Sequence, residues 1–195
     1  PAFGEYISSY TAGVVPSGSK LLIVLTNNTA DSAAIGSETS VDLFDFSPSI
    51  KGKTYWVDAR TVEFRPDARL TSGQVYEATF KLSKLTTVPN ELKEFKYSFQ
   101  VIPQNFETSI DNIKPYVKTE LKRQKIEGVS NTADFAEKDI IEKMLEAKQD
   151  NSSLKVSWVH GLDGKQHNFV IEDVSRKDQA STVNLTVKGS PLGVN

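Results

Sequence analysis

The stretch from Phe46 to Phe80 limits the possible folds of this chain more than any other segment. Short runs of β-branched and aromatic residues, at positions 55–57, 61–65 and 75–80, are separated by Pro, Gly or Asp every few residues. Such punctuation is typical of antiparallel strands joined by tight turns. The stretch holds no obvious catalytic group. It therefore predicts a structural scaffold.

Other strand candidates surround this stretch. Leu21–Thr26 is apolar on both faces, which predicts a strand inside a sandwich. Residues 95–101 alternate apolar and polar side chains, as a strand with one buried face does. Shorter candidates lie at residues 5–10 and 41–46. About seven strands in roughly 100 residues is the count of an immunoglobulin-like sandwich, and a small barrel is the alternative.

The core of this predicted sandwich is aromatic. Six residues are expected to be largely buried in it: Trp56, Phe64, Tyr76, Phe80, Tyr97 and Phe99. Glycine and proline mark the turns between its strands. Gly13, Pro16 and Gly18 predict one turn, and Pro48 and Gly52 predict another.

A domain boundary is expected at residues 102–105. Pro103 has no amide hydrogen to donate to a β-ladder, so the preceding strand should end there. We therefore predict two β-rich modules, residues 1–102 and residues 106–195.

The second module is predicted to contain several strands. Alternating apolar residues indicate strands around Val156, Ile171 and Leu185, and Gly161–Gly164 indicates a hairpin turn between the first two. Weaker alternation between residues 113 and 129 marks further strand candidates.

One helix is predicted at about residues 135–148. Apolar residues recur there at spacings of three or four, at Ala133, Ala136, Ile140, Met144 and Ala147. Asp134, with Glu137 three residues later, resembles a helix-capping pair. The expected fold class is thus mostly β: two β-sandwich modules, the second with one inserted helix.

Charge and composition exclude several functions. The 23 Lys and Arg against 25 Asp and Glu give a net charge of -2, so nothing electrostatic favours a nucleic acid or an anionic membrane as partner. The absence of cysteine removes thiol nucleophiles, disulfides and Cys-based metal sites. No apolar run approaches the roughly 18 residues of a transmembrane helix. Because the sequence begins with Pro1 and ends without a finishing strand, we expect a processed or truncated piece of a longer protein.

The strongest metal-ligand candidates are His160 and His167, which flank the Asp163-Gly164 turn. On a hairpin the two imidazoles would face each other and could share a metal ion, with Asp163 nearby. Two histidines and one carboxylate without a third fixed ligand are a weak signal. We therefore favour the alternative that both histidines are solvent-exposed hairpin residues, and we expect no metal, cofactor or catalytic site in this chain.

Two further groups of residues invite a functional interpretation. Five carboxylates lie near one another in the sequence of the first module, at Asp42, Asp45, Asp58, Glu63 and Asp67. Paired carboxylates can hydrolyse glycosides, but these alternate with core residues or lie in turns. Tyr55, Trp56 and Phe64 would form a sugar-stacking platform if exposed, and we expect them in the core instead. No nucleophile elbow, phosphate-binding loop or dinucleotide-binding glycine motif occurs.

The first module resembles the bacterial immunoglobulin-like domains at the start of bacterial alpha-2-macroglobulin-like proteins, above all of Bacteroides-type members. The resemblance is carried by Phe46–Ile50, Gly52, Tyr55–Val57, Thr61–Pro66, Leu70, Gly73 and Tyr76, with Tyr6–Thr11 upstream and Leu92–Phe95 and Tyr97–Phe99 downstream. It covers residues 1–102 well. Residues 106–195 are similar to the following macroglobulin-like module in the order of strand, helix, Trp-containing strand and Asp-Gly hairpin.

This resemblance implies a very large bacterial cell-envelope protein, periplasmic or surface-exposed and lipid-anchored, built from many macroglobulin-type sandwiches. Such proteins act as protease inhibitors: cleavage of a bait segment triggers closure and exposes a thioester. The chain has neither a bait region nor the Cys-containing thioester motif, so no functional residue of the family carries over to it. The implication is a non-catalytic N-terminal scaffold. Its partners are downstream domains of the same chain and the proteases that the parent protein traps. Any membrane contact is through a lipid anchor outside this chain.

Two other functions fit a pair of such modules. One is cell-surface adhesion or glycan binding, and the other is an accessory role in a secreted hydrolase whose catalytic domain lies elsewhere. A downstream thioester motif would favour the protease trap, whereas a hydrolase domain or long tandem repeats would favour the alternatives.

Overall fold

A computed structural model describes residues 2–195, so Pro1 lies outside the described residues. The chain divides into two compact units, Pro1–Ile102 and Pro103–Asn195. Both consist mainly of β-strands, with one short α-helix in the second unit, and the predicted fold class is therefore confirmed. Among the described residues, no helix has the length and apolar character needed to cross a membrane.

The described part of the first unit contains eight strands. In chain order they are β1 (Ile7–Tyr10), β2 (Gly13–Val15), β3 (Leu21–Leu25), β4 (Phe44–Ser47), β5 (Gly52–Trp56), β6 (Thr61–Pro66), β7 (Val75–Phe80) and β8 (Phe95–Val101). Short 3-10 helices lie at Ala2–Glu5, Ser32–Ala34, Leu82–Lys84 and Asn90–Leu92.

These strands form two four-stranded sheets, in the orders β1-β3-β6-β5 and β2-β8-β7-β4. This is the strand order of an immunoglobulin-type sandwich whose first strand is divided between the two sheets. β1 pairs antiparallel with β3, whereas β2 pairs parallel with β8 in the opposite sheet. The chain thus crosses between the sheets at its start.

The predicted turn at Gly13–Gly18 is partly wrong, because its first three residues form strand β2. Gly13 begins the strand with a φ of 74°, and the turn itself is shorter, with the Ser19 amide donating to the Pro16 carbonyl at 3.0 Å. A three-residue strand that starts on glycine has too few side chains to produce an alternating pattern. The sequence therefore indicated seven strands where the structure has eight.

The space between the two sheets is filled by aromatic and aliphatic side chains. Five of the six predicted core residues are buried: Trp56, Phe64, Tyr76, Phe80 and Phe99. Tyr97 is half-buried, and its hydroxyl is buried with no hydrogen-bond partner in the described chain. Burial raises the pKa of this phenol. Tyr10 of β1 contacts the Tyr97 ring edge-on, with ring centroids 5.1 Å apart, at the side where β1 leaves its sheet.

The second unit contains seven strands and one α-helix among its residues. They are β9 (Phe106–Val117), β10 (Glu120–Thr132), α1 (Lys138–Glu142), β11 (Leu145–Gln149), β12 (Ser152–Ser153), β13 (Val156–His160), β14 (Gln166–Ser175) and β15 (Val183–Val187), followed by a 3-10 helix at Ser190–Leu192. The strands predicted around Val156, Ile171 and Leu185 are confirmed, as is the hairpin turn between the first two.

The second unit is also a sandwich, but its sheets differ in size. One sheet has four strands in the order β13-β14-β10-β9, and the other has three in the order β12-β11-β15. The core between the sheets is formed by six buried residues from both of them: Ile126, Leu145, Ala147, Phe169, Ile171 and Val174. A smaller cluster of Ala136, Ile141 and Met144 lies beside it.

The predicted helix at about residues 135–148 is wrong over much of its length. The α-helix spans only Lys138–Glu142, and Leu145–Gln149 is strand β11, paired residue by residue with β15. Burial alternates along β11, and Ala147 fits this two-residue period as well as the helical spacing from Met144. Asp134 is not the helix cap: the N-cap position is Glu137, and the Asp134 carboxylate accepts from the Phe135 amide at 2.8 Å.

Candidate functional site

Two of the predicted carboxylates of the first unit lie in turns. The Asp58 carboxylate accepts hydrogen bonds from the amides of Arg60 and Thr61, both at 2.8 Å. These bonds hold the pKa of Asp58 below its ordinary value. Asp67 is exposed, and its amide donates to the Lys51 carbonyl at 2.9 Å. Both residues stabilise local backbone.

The other three carboxylates form ion pairs. Asp42 and Asp45 both bind the Lys81 ammonium, at 2.6 and 3.1 Å. Glu63 is buried and accepts from the Arg65 guanidinium at 2.6 Å. These pairs are separate from each other. Among residues 2–195, no three His, Cys, Asp or Glu side chains come together in an arrangement that could hold a metal ion.

The aromatic residues proposed as a sugar platform do not form an exposed surface. Trp56 and Phe64 are buried in the core. Tyr55 is half-buried, and the Arg65 guanidinium lies 4.0 Å from its ring centroid. A sugar ring could not stack on these three side chains without opening the sandwich.

The structure brings His160 and His167 together on the β13–β14 hairpin. They are register partners, and their Nδ1 atoms are 2.8 Å apart. The interpretation of both as solvent-exposed residues is wrong, because His167 is 0% exposed and the His160 side chain is 8% exposed. Two nitrogens bound to one zinc ion at tetrahedral angles would be about 3.3 Å apart. The observed separation is instead that of a hydrogen bond.

A third residue extends this pair into a chain of hydrogen bonds. The Glu142 carboxylate of α1 lies 3.1 Å from His160 Nε2, which must therefore donate to it. In the neutral state His160 Nδ1 then accepts from His167 Nδ1. This assignment leaves His167 Nε2 as a bare nitrogen, which is buried with no hydrogen-bond partner in the described chain.

The surroundings of the pair exclude water and disfavour a positive charge on His167. Trp158 stacks on the His160 ring, with the planes 6° from parallel and the centroids 5.9 Å apart. Burial, and secondarily the neighbouring His160, lower the pKa of His167. The Asp163 carboxylate accepts from the Lys165 amide at 2.9 Å and stabilises the turn. The hydrogen bonds of the Glu142–His160–His167 chain can pass a proton between these side chains, and its Glu142 end is exposed.

The sequence located the histidines but missed Glu142. Glu142 belongs to the predicted helix, yet no local pattern indicates that this helix packs against the β13–β14 hairpin. The burial of His167 was missed for the same reason, because it depends on residues that are distant in sequence.

A cleft of about 390 Å³ opens between the two sheets of the second unit. Its apolar walls are Ile110, Ile113, Ile126, Val174, Val183 and Leu185, and its charged side chains are Arg176 and Lys177. Gln149 also lines the cleft, with its amide nitrogen donating to the Ser175 carbonyl at 2.8 Å and its amide oxygen accepting from the Ser175 amide at 2.9 Å. No pattern in the sequence indicates this cleft.

Comparison with known proteins yields only distant structural likeness. No family model matches the chain, and no curated protein sequence matches it significantly. Among solved structures, L,D-transpeptidase 3 from Mycobacterium tuberculosis in complex with a faropenem-derived adduct has a TM-score of 0.36 and 14% identity, over 55% of this chain and 40% of that one. An L,D-transpeptidase from Mycobacterium tuberculosis H37Rv has a TM-score of 0.35 and 14% identity, over 55% and 42%. The chain thus matches less than half of each of these proteins.

Proposed function

We propose that this chain is a non-catalytic scaffold from the N-terminal part of a bacterial alpha-2-macroglobulin-like protein. In this proposal the parent protein is lipid-anchored in the cell envelope and inhibits endopeptidases by trapping them. The two β-sandwich modules hold the downstream domains, which carry the bait segment and the reactive chemistry.

The observation that supports a scaffold role is the use of the Phe46–Phe80 stretch. Its characteristic residues Trp56, Phe64 and Tyr76 are all buried between the two sheets of the first unit. Among its carboxylates, Asp58 stabilises a turn and Glu63 forms an ion pair with Arg65. A stretch whose distinctive residues fill a core has a structural task, and the resemblance carried by the same residues suggests the protein in which it performs that task.

The test compares three proteins: the full-length natural protein that contains this chain, the same protein without residues 1–195, and the isolated 195-residue chain. Each is mixed with trypsin, and the hydrolysis of casein and of a small chromogenic peptide is measured. A trapped protease is shielded from large substrates but stays accessible to small ones. We expect the full-length protein to suppress casein hydrolysis only, and the isolated chain to suppress neither reaction.

Two outcomes would contradict the proposal. One is a full-length protein that leaves casein hydrolysis unchanged. The other is saturable binding of the isolated chain on a glycan array, which would support the adhesion alternative. Replacing Trp56 is no useful probe of such binding, because this residue is buried.

A further inference from the structure

The second unit lacks a strand on one side of its sandwich. The first unit has two four-stranded sheets, whereas the second has four strands against three. The open side lies between β9 and β15, which are the edge strands of the two sheets. Side chains from both strands line the 390 Å³ cleft.

Two isoleucines of β9 face this gap and are exposed although they lie on the inner face. Ile110 is 44% exposed and Ile113 is 63% exposed. Ile113 is the register partner of the buried Ile126, and Ile110 is the partner of Gly128. Residues three apart in a regular strand lie on opposite faces. A register shift between these two pairs places Ile110 and Ile113 on the same inner face. They are exposed because no strand of the other sheet covers them.

The free edge of β15 has unused hydrogen-bonding groups. The Lys188 amide donates to the Met144 carbonyl, so these two residues are a hydrogen-bonded pair of the antiparallel β11–β15 ladder. Hydrogen-bonded and non-hydrogen-bonded pairs alternate along such a ladder. Val183, Leu185 and Val187 therefore belong to non-hydrogen-bonded pairs and direct their amides and carbonyls away from β11. Their side chains are the partners of the buried β11 residues, so they lie on the inner face. The edge therefore offers both backbone groups and an apolar face to a further strand.

The charged side chains at the gap are basic. The charged side chains that line the cleft are Arg176 and Lys177, which precede β15 in the chain, and no carboxylate of residues 2–195 lines it. Lys177 also pairs with Asp150, whereas Arg176 has no ion-pair partner in the described chain. A peptide antiparallel to β15 would bring its C-terminal end to these cations.

We propose that this cleft binds an extended peptide strand, which pairs antiparallel with β15 and completes a fourth strand of that sheet. The peptide has apolar side chains at alternate positions, which cover Ile110 and Ile113, and an acidic residue near its C-terminal end, which faces Arg176. Main-chain hydrogen bonds and alternate side-chain contacts are the means by which proteins accept an added strand. A small amphipathic anion could fill the apolar space but would leave the β15 amides unpaired.

The probe is a fluorescein-labelled peptide of eight residues that alternates valine and threonine and ends in two glutamates. Its binding to the whole 195-residue chain is measured by fluorescence anisotropy. Two N-methylated forms test the backbone directly. Methylation of the valine amides, which would face β15, should abolish binding, whereas methylation of the threonine amides, which would face solvent, should leave it nearly unchanged. These peptides alter nothing in the protein.

Three variants test the side chains. Ile113→Lys should weaken binding by about tenfold, because an apolar contact is lost. Arg176→Glu should weaken it by about tenfold and make a peptide ending in two lysines the better ligand. Val159→Lys is the matched control, since Val159 is 70% exposed on β13, at the opposite edge of the same sheet as β9, and should change nothing.

The proposal would be overturned by no saturable binding of the probe peptide. It would also be overturned by equal effects of the two methylation patterns, or by equal effects of Ile113→Lys and Val159→Lys. Binding of dodecanoate to the cleft without binding of the peptide would identify a small-amphiphile site instead and would equally overturn it.

Discussion

Gly52 shows how one residue can be fixed by close packing. It is the first residue of β5, and a Cβ atom there would meet the Arg65 carbonyl and lie 2.7 Å from the end of the Phe64 ring. We expect Gly52→Ala to destabilise the first unit by about 1–3 kcal/mol, because the backbone must move to admit a methyl group. Urea denaturation followed by Trp56 fluorescence in a Trp158→Phe background measures this loss.

Gly4 is the matched control for this substitution. A Cβ at Gly4 meets no heavy atom of residues 2–195 within 4 Å, so Gly4→Ala should change the unfolding free energy by less than about 0.5 kcal/mol. Equal effects of the two variants would show that the space at Gly52 is not limiting. The sequence assigned Gly52 to a turn, and the structure shows that its role is a close approach of two strands.

The buried His167 predicts a pH dependence of stability. Its pKa is lowered from 6.5 in the folded protein, so the unfolded chain binds a proton at pH values where the folded chain does not. Stability is therefore complete above pH 6.5 and falls as the pH decreases toward the lowered pKa. One proton contributes at most about 1.4 kcal/mol for each pH unit.

The measurement is urea unfolding between pH 7.5 and 5.5, followed by Trp158 fluorescence in a Trp56→Phe background. In His167→Gln the slope in this window should be largely lost. Carboxylates such as Glu127 and Asp150 do not interfere, because their pKa values are lowered from ordinary values of 4.5 and 3.8. The same slope with and without His167 would contradict the explanation.

Strand β11 is the element whose assignment a mutation can test. Leu145 is buried between the sheets, whereas its neighbour Glu146 is exposed and pairs with Lys188. We expect Leu145→Ala to cost about 2–5 kcal/mol, because it leaves a cavity. Glu146→Ala should cost less than about 1 kcal/mol, as surface ion pairs usually do. Similar losses for the two variants in urea unfolding would be inconsistent with the alternating burial of β11.

The sequence predicted the elements with a strong local pattern. Strands β6 and β8 were found because apolar and polar residues alternate along them, and β3 was found because it is a continuous apolar run of strand length. Strand β11 was mistaken for helix because Ala147 also fits a helical spacing from Met144, the residue just before the strand. Its identity depends on β15, nearly 40 residues later, and no local pattern shows that pairing.

The candidate sites were less predictable for the same reason. Their chemistry depends on which elements meet, and not on which residues are adjacent. His160 and His167 were found because a hairpin joins them, whereas Glu142 reaches them only through packing. The cleft depends on β9 and β15 being edge strands, which is a property of the whole strand order. The three-residue spacing of Ile110 and Ile113 could have suggested a β-bulge, but it could not show that one side of the sandwich is open.

The division of the whole chain into two units predicts that each folds by itself. The core of the first unit, which includes Leu21, Phe80 and Val101, is formed entirely by residues of that unit. A fragment of residues 1–102 should therefore unfold cooperatively in urea, with Trp56 fluorescence and far-ultraviolet circular dichroism changing together. In this fragment Phe80→Ala should cost about 3–5 kcal/mol. A gradual, non-cooperative transition of the unmodified fragment would mean that the first unit needs the second to fold.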